Sequence, residues 1–306
     1  MKLVLSSTKL TDNKRPSKGD SLILKSAERK GLDTIVLDPS MITYHFASGD
    51  LRVNYQGRDI SDSDIVIIRR TRGAELESYQ LATAMESRGK VVVDPSASLI
   101  YPVSKFPSQV LRASEYTPKT IFASGLSEQT LEEITTNLTF PMIIKPNDGT
   151  KKRGFKVVAN EQEVRDYFNE NQHSWAIFQE YLDIVTSIRV LTIGGKVAGH
   201  SFCYGTKNFT GSYVAEKIAQ KVIMNNPAKI LGTDVVITRK GDYYVLECNR
   251  NPDFTPMETK DNYYADRIVD YLISLRNDTG HGKNNYESPK KKPDGILSRF
   301  LSSVSN

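Results

Sequence analysis

The 306-residue sequence is poor in cysteine and histidine and has no long apolar run, and each shortage argues against a class of protein. Its two cysteines, Cys203 and Cys248, form no CxxC pair and have no clustered histidines beside them. Neither a disulfide framework nor a thiolate zinc site is indicated, and two free thiols are expected. No stretch approaches the roughly 20 apolar residues of a membrane-spanning helix. The apolar run Leu3–Leu5 is too brief for a signal-peptide core, so a cytoplasmic chain without membrane association is expected. The phosphate-loop spacing GxxxxGK[ST] and the dinucleotide fingerprint GxGxxG are both missing, so neither a Walker-type nor a Rossmann dinucleotide site is supported. The net charge of +5 is mild, and no strand interleaves basic and aromatic residues as a nucleic-acid reader does. No specific nucleic-acid partner is expected.

What remains is an ordinary globular composition, 39% hydrophobic and 25% charged, in a chain long enough for two or three units around one cleft. Residues 1–100 alternate predicted strands (Lys2–Leu5, Thr34–Leu37, Ile65–Ile68, Val91–Val93) with helices (Ser21–Lys30, Leu76–Arg88), a parallel α/β pattern. Asp20 is placed to cap the first helix and Gly31 to stop it. Arg69, Arg70 and Arg72 follow the third strand at its C-terminal end, either as carboxylate binders or as a solvated basic strand end.

After Pro102 a helix at Phe106–Ala113, a strand at Thr120–Phe122, a helix at Ser127–Asn137 and a strand at Met142–Lys145 are predicted. Strands then lengthen: Phe155–Ala159, Ala176–Gln179, Ser187–Ile193, Lys196–Cys203, Val235–Thr238 and Tyr243–Cys248, with helices at Glu161–Asn169 and Ala265–Leu275. Gly194-Gly195 between alternating runs is a hairpin signal, so this half reads as an antiparallel sheet with helices on one side. Beyond Asn277 the Gly, Asn, Ser, Pro and Lys content, with Lys290-Lys291-Lys292, reads as a flexible basic tail. Within it Gly295–Val304 carries apolar residues at helical spacing, suited to docking on the body or on a partner.

The densest chemistry is Asp234…Glu247-Cys248-Asn249. Alternation along a strand puts Glu247 and Asn249 on one face, and Lys240-Gly241-Asp242 supplies a turn that brings Asp234, read as opening the preceding strand, beside Glu247. Two carboxylates and an amide oxygen are the hard ligands Mg²⁺ takes, leaving positions for water and phosphate. A general acid–base pair and a strand end with incidental acids are the other readings. Lys145 ends a strand before a Gly-bounded loop that includes Lys151, Lys152 and Arg153. The segment suits a phosphate cradle, although taken alone such a run is more often a charged hairpin.

The order Lys145 and its loop, Gln179-Glu180-Tyr181, Ser187-Ile188-Arg189, Asp234 and Glu247-Cys248-Asn249 resembles the ATP-grasp superfamily, most of all its RimK-like branch of glutamate ligases. The resemblance runs from about Met1 to Leu275. It implies an α/β (α+β) ATP-grasp fold: a pre-ATP-grasp domain at 1–100, a central subdomain at 101–182, a C-terminal subdomain at 183–276 and the tail at 277–306. It further implies that Lys105 and Lys145 contact ATP phosphates, with Gly149, Thr150 and Gly154 in the phosphate loop. Gln179, Glu180 and Tyr181 would form the adenine hinge, Asp183 would meet the ribose, and Arg189 would face the γ-phosphate and an acyl phosphate. Asp234, Glu247 and Asn249 would hold Mg²⁺, with Mn²⁺ as an alternative.

The activity implied is ATP-dependent joining of a carboxylate to an amine, on small-molecule or peptide substrates. A catalytically silent nucleotide-binding scaffold is the second reading, and a homo-oligomer stays open. The chain departs from the pattern at Ser187, at Lys151–Arg153, at Lys207–Ser212 and at Arg250-Asn251-Pro252-Asp253, which implies an untypical substrate.

Overall fold

Apolar runs buried on both faces are what a central parallel strand requires, and Leu3–Leu5, Ile65–Ile68 and Val91–Val93 are such runs. The computed structural model describes residues 1–8, 16–47, 49–99, 106, 109–110, 114–147, 154–171, 175–205, 209–224 and 226–279. The chain begins with β1 (Lys2–Ser6), α1 (Lys18–Arg29) and β2 (Asp33–Leu37). A small antiparallel sheet follows, β3 (Ile42–Ala47), β4 (Asp50–Tyr55) and β5 (Arg58–Asp59). Next come β6 (Ile65–Ile68), α2 (Glu75–Ser87), β7 (Val91–Val93) and the single turn α3 (Ser96–Leu99). The parallel sheet has the order β2-β1-β6-β7. Its connections diverge between β1 and β6, opening a crevice at their carboxyl ends.

Two readings of this unit are corrected. Ser17, not Asp20, caps α1: its hydroxyl accepts the Asp20 N–H, and the helix starts earlier than predicted. Asp20 is instead fully buried. Gly31, at φ 78°, does stop the helix. The antiparallel sheet β3–β5 was not expected, because its largely exposed strands mix polar residues among Ile42, Tyr44, Leu51, Val53 and Tyr55, which pack on the core.

The second four-stranded sheet is antiparallel; its unit runs β8 (Thr120–Ala123), α4 (Glu128–Asn137), β9 (Met142–Pro146), β10 (Lys156–Val158), α5 (Glu161–Glu170) and β11 (Ala176–Glu180), with the strand order β10-β9-β11-β8. Ser127 and Asn160 cap the two helices through their side chains. Leu131, Ile134, Val164 and Tyr167 from the helices close over Met142, Ile144, Val158, Ala176 and Phe178.

The third four-stranded sheet is antiparallel, β13-β12-β14-β15. It comprises β12 (Ile184–Ile193), β13 (Lys196–Gly205), α6 (Phe209–Val222), β14 (Ile230–Thr238) and β15 (Tyr243–Arg250), followed by α7 (Tyr263–Thr279). Gly194 and Gly195, at φ 59° and 75°, make the tight β12–β13 turn, as two positive φ values in a two-residue hairpin require. Helix α6 was not expected, although Ala215, Ile218, Ala219 and Val222 recur at helical spacing and bury against Ile188, Val190, Val235 and Val245. Strand β14 begins at Ile230, so Asp234 stands mid-strand rather than opening it.

One hydrophobic cluster joins the first and third sheets. Leu3, Leu5, Ile65 and Val93 pack with Leu191, Ile193 and Ile230 through Ile23 of α1 and Ile268, Val269 and Leu272 of α7. Among the described residues no helix is long and apolar enough to cross a membrane. The tail beyond Thr279, including Gly295–Val304, and most of the predicted Phe106–Ala113 helix lie outside the described residues.

Candidate active site

Three strands of the third sheet bring the predicted arginine and the two carboxylates together. Arg189 of β12 stands opposite Asp234 of β14, and Asp234 opposite Glu247 of β15. Alternation then places Asn249 on the same face as Glu247. The Arg189 guanidinium donates twice to Asp234, Nε to Oδ1 and Nη2 to Oδ2, each at 2.6 Å. Its Nη2 also lies 4.0 Å from Glu247 Oε1, and Asn249 Nδ2 donates to Glu247 Oε1 at 2.7 Å.

The electrostatics follow from burial. Desolvation pushes the Asp234 carboxyl above its usual range, opposed by Arg189, while its hydrogen bonds to Asp234 raise the pKa of Arg189 further and hold it charged. Only 14% of the Asp234 side chain is exposed, against 49% for Glu247, so the cluster grades from a dry arginine–aspartate pair to a wet carboxylate. A methyl group at Gly232, which pairs with Asn249, would stand 2.6 Å from Pro252 Cβ. Glycine there lets the segment after β15 fold back.

The donor set fits a hard divalent cation. Among the described residues no three His, Cys, Asp or Glu side chains gather as a metal centre. Protein ligation would therefore rest on two carboxylates and one amide oxygen, with phosphate and water completing the shell, the arrangement Mg²⁺ favours. Each carboxylate oxygen accepts more than one partner, so the bond from Arg189 leaves Asp234 with ligating capacity.

The nucleotide candidates sit on the second sheet. Lys145 Nζ donates to Gln179 Oε1 at 3.0 Å, and Gln179 Nε2 donates to Thr120 Oγ1 at 2.9 Å, so an ammonium and an amide are tied across β9, β11 and β8. Glu180 ends β11, its carboxylate accepting the Lys119 N–H at 2.7 Å. Residues 181–183 cross from the second sheet to the third. There Tyr181 is half exposed, and Asp183 pairs with Arg239 at 2.7 Å. Gly154, at φ 73°, abuts Pro146. Lys105, Gly149 and Thr150, with Lys151–Arg153, lie outside the described residues.

Arg69 is not a solvated strand end. It is fully buried, pairs with Asp20 at 2.9 Å, donates to Asn251 Oδ1 at 3.1 Å and lies over the Phe254 ring. Arg70 stays partly exposed, donating to Ser17 Oγ at 3.2 Å. The residues 250–254, read from sequence only as a departure from a pattern, are thus packed into the first unit.

The family model of the RimK-like ATP-grasp domain matches residues 107–272. The chain belongs to this family. It is 24% identical over 277 residues to a probable alpha-L-glutamate ligase of Stenotrophomonas maltophilia (strain R551-3), covering 83% of this chain and 94% of that protein. It is 23% identical over 257 residues to the alpha-aminoadipate–LysW ligase LysX of Sulfurisphaera tokodaii, covering 75% and 84%. Among solved structures it resembles the RimK domain ATP-grasp protein of Sphaerobacter thermophilus, with a TM-score of 0.65 at 15% identity over 89% of this chain and 100% of that one. It also resembles the ATP-grasp ligase PsnB in complex with precursor peptide PsnA2 and AMPPNP, with a TM-score of 0.67 at 16% identity over 90% and 97%. The ATP-grasp fold is shared with both. The matched residues of this family member hold Lys145, Gln179–Asp183, Arg189, Asp234, Glu247 and Asn249, whereas Lys105 and Arg69 fall before them.

Proposed function

We propose that this chain, an ATP-dependent carboxylate–amine ligase, binds Mg²⁺–ATP between its second and third sheets and activates the carboxylate of an amino acid or peptide. A carboxylate oxygen attacks the γ-phosphorus, the bond to ADP breaks, and an acyl phosphate results. The amine nitrogen then attacks the acyl carbon, phosphate leaves with that carboxylate oxygen, and the amine loses a proton as the amide forms. Mg²⁺ (or Mn²⁺) held by Asp234, Glu247 and Asn249 would neutralise phosphate charge.

The observation that carries this reading is the Arg189–Asp234–Glu247 row with Asn249 beside it. Phosphoryl transfer needs positioned charge more than covalent help from the protein. Arg189, fixed by two bonds to Asp234, presents a pre-oriented guanidinium to the transferring group. Lys145 supplies an ammonium to the phosphates, and Gln179–Tyr181 and Asp183 border the nucleoside. Arg70, at the crevice between β1 and β6, is assigned to a substrate carboxylate. Arg69 is withdrawn from that role by its burial. The division into 1–100, 101–182 and 183–276 is supported by the sheets, each of which falls within one span. Because ATP and free amino acids meet in the cytoplasm, that is the compartment we assign.

The test is incubation with ATP, Mg²⁺ and pools of amino acids and short peptides, following ADP and phosphate. Acceptor-stimulated release of both is expected. Tight ATP binding with no stimulation by any pool would instead mark a silent nucleotide-binding scaffold.

A further inference from the structure

The ends of the strands that carry the acidic cluster are fastened to the first unit by a polar seam. Arg250, the residue after Asn249, donates from Nη2 to Thr71 Oγ1 at 2.9 Å, and its Nη1 lies 4.0 Å from Asp94 Oδ2. Asp94, fully buried after β7, accepts the N–H groups of Lys229 at 2.7 Å and Ile230 at 3.3 Å, where β14 begins. Asn251 takes a left-handed backbone, φ 55°. Its Nδ2 donates to the Ile68 carbonyl at 2.7 Å, and its Oδ1 accepts from Arg69, itself locked to Asp20. Pro252 and Phe254 are buried behind them.

Packing alone does not call for this. Apolar residues of similar volume join two units at least as firmly as buried ion pairs, whose desolvation cost offsets most of their attraction. What hydrogen bonds add is direction. A ligand set displaced by about 1 Å loses much of its effect, and Asn249 is one residue from Arg250 and two from Asn251.

We infer that Thr71, Asp94, Arg250 and Asn251 are positioning residues for the metal end of the site. The first unit thereby sets where Glu247 and Asn249 stand, although it supplies no ligand. This rests on the proposed metal role of Asp234, Glu247 and Asn249.

The experiment measures binding of a non-hydrolysable ATP analogue to the full chain by calorimetry, with Mg²⁺ and with EDTA, alongside thermal melts. Asn251→Gly keeps the left-handed backbone and removes both side-chain bonds. Thr71→Val removes the hydroxyl at nearly constant shape, and Thr71→Ser restores it. Affinity in EDTA is expected to be unchanged in all three. The gain on adding Mg²⁺ falls about tenfold in Asn251→Gly and Thr71→Val, the usual cost of losing an outer support of a metal site, and returns in Thr71→Ser. Glu247→Gln separates the two claims. If it removes the Mg²⁺ gain while Asn251→Gly and Thr71→Val keep theirs within twofold, the seam inference alone falls. If Glu247→Gln keeps the gain, the metal assignment falls and takes the inference with it. Equal losses with and without Mg²⁺ would mark a merely structural seam and also overturn the inference.

Discussion

The second sheet and the base formed by the first and third differ in whether any buried cluster crosses from one sheet to another. The second keeps a core of its own, with every buried member drawn from between Ala123 and Phe178. The first and third sheets each bury a cluster of their own on one face and share another on the facing side, in which Leu3 and Leu5 pack with Leu191, Ile230 and the helix α7, and the polar seam at Arg69 and Asn251 stitches the same boundary. A unit with a private core can shift as a body, because no apolar contact need be broken. A shared core cannot part without exposing itself to water. On the proposed reading, Lys145 and Gln179 would ride on a unit able to move over a bound nucleotide, while Arg189, Asp234 and Glu247 would stay on the base.

Substitutions probe that contrast, and the largest effect is expected at the fixed end. Glu247→Gln should lower turnover by about a hundredfold or more, since metal-assisted charge stabilisation is worth several kcal/mol, with the melting temperature little changed. Arg69→Ala should cost about 3 kcal/mol, because buried Asp20 loses its closest ion pair and keeps only Arg70 at 3.7 Å and the Ser7 and Ser17 hydroxyls. Hydrogen exchange should quicken throughout the base while residues 120–180 keep their protection. Leu131→Ala, in the private core, should cost about 3 kcal/mol with the reverse exchange pattern. If either variant loosens both regions equally, the two-core description fails.

A smaller effect comes from pH. Burial raises the Asp94 carboxyl above its usual range, so the folded chain keeps a proton that the unfolded chain has already lost. Stability from this group is therefore lost as pH rises from about 4, the unfolded carboxylate value, through the folded value. Denaturant unfolding of wild type and Asp94→Asn should show the wild type losing ground to the variant as pH rises across that window. Smallest is Gly195→Ala, about 1 kcal/mol for a left-handed alanine at a site with open space, read as a slight fall in melting temperature.

What could be read from the sequence was local. β6 and β7 match their predicted limits, because four- and three-residue β-branched runs leave little choice. The Gly194-Gly195 turn and the shared face of Glu247 and Asn249 followed from φ freedom and from alternation. What could not be read depends on partners far along the chain. Arg69 read either as a carboxylate binder or as a solvated strand end, because nothing nearby in sequence reveals Asp20 and Asn251 waiting to receive it. Asp20 looked like a cap because the predicted helix starts at Ser21, whereas the helix starts at Lys18 behind the Ser17 cap. The departure at Arg250-Asn251 was visible from sequence, yet its meaning required β6 and β7 to be placed against it.

The most direct test of the ligase reading follows an oxygen atom. With a carboxylate substrate found in the pool assay and labelled with ¹⁸O in its carboxyl group, activation as an acyl phosphate must deliver one labelled oxygen to each phosphate released. Phosphate carrying one ¹⁸O per turnover, detected by mass spectrometry together with the amide product, is the predicted result. Unlabelled phosphate accompanying amide formation would contradict it.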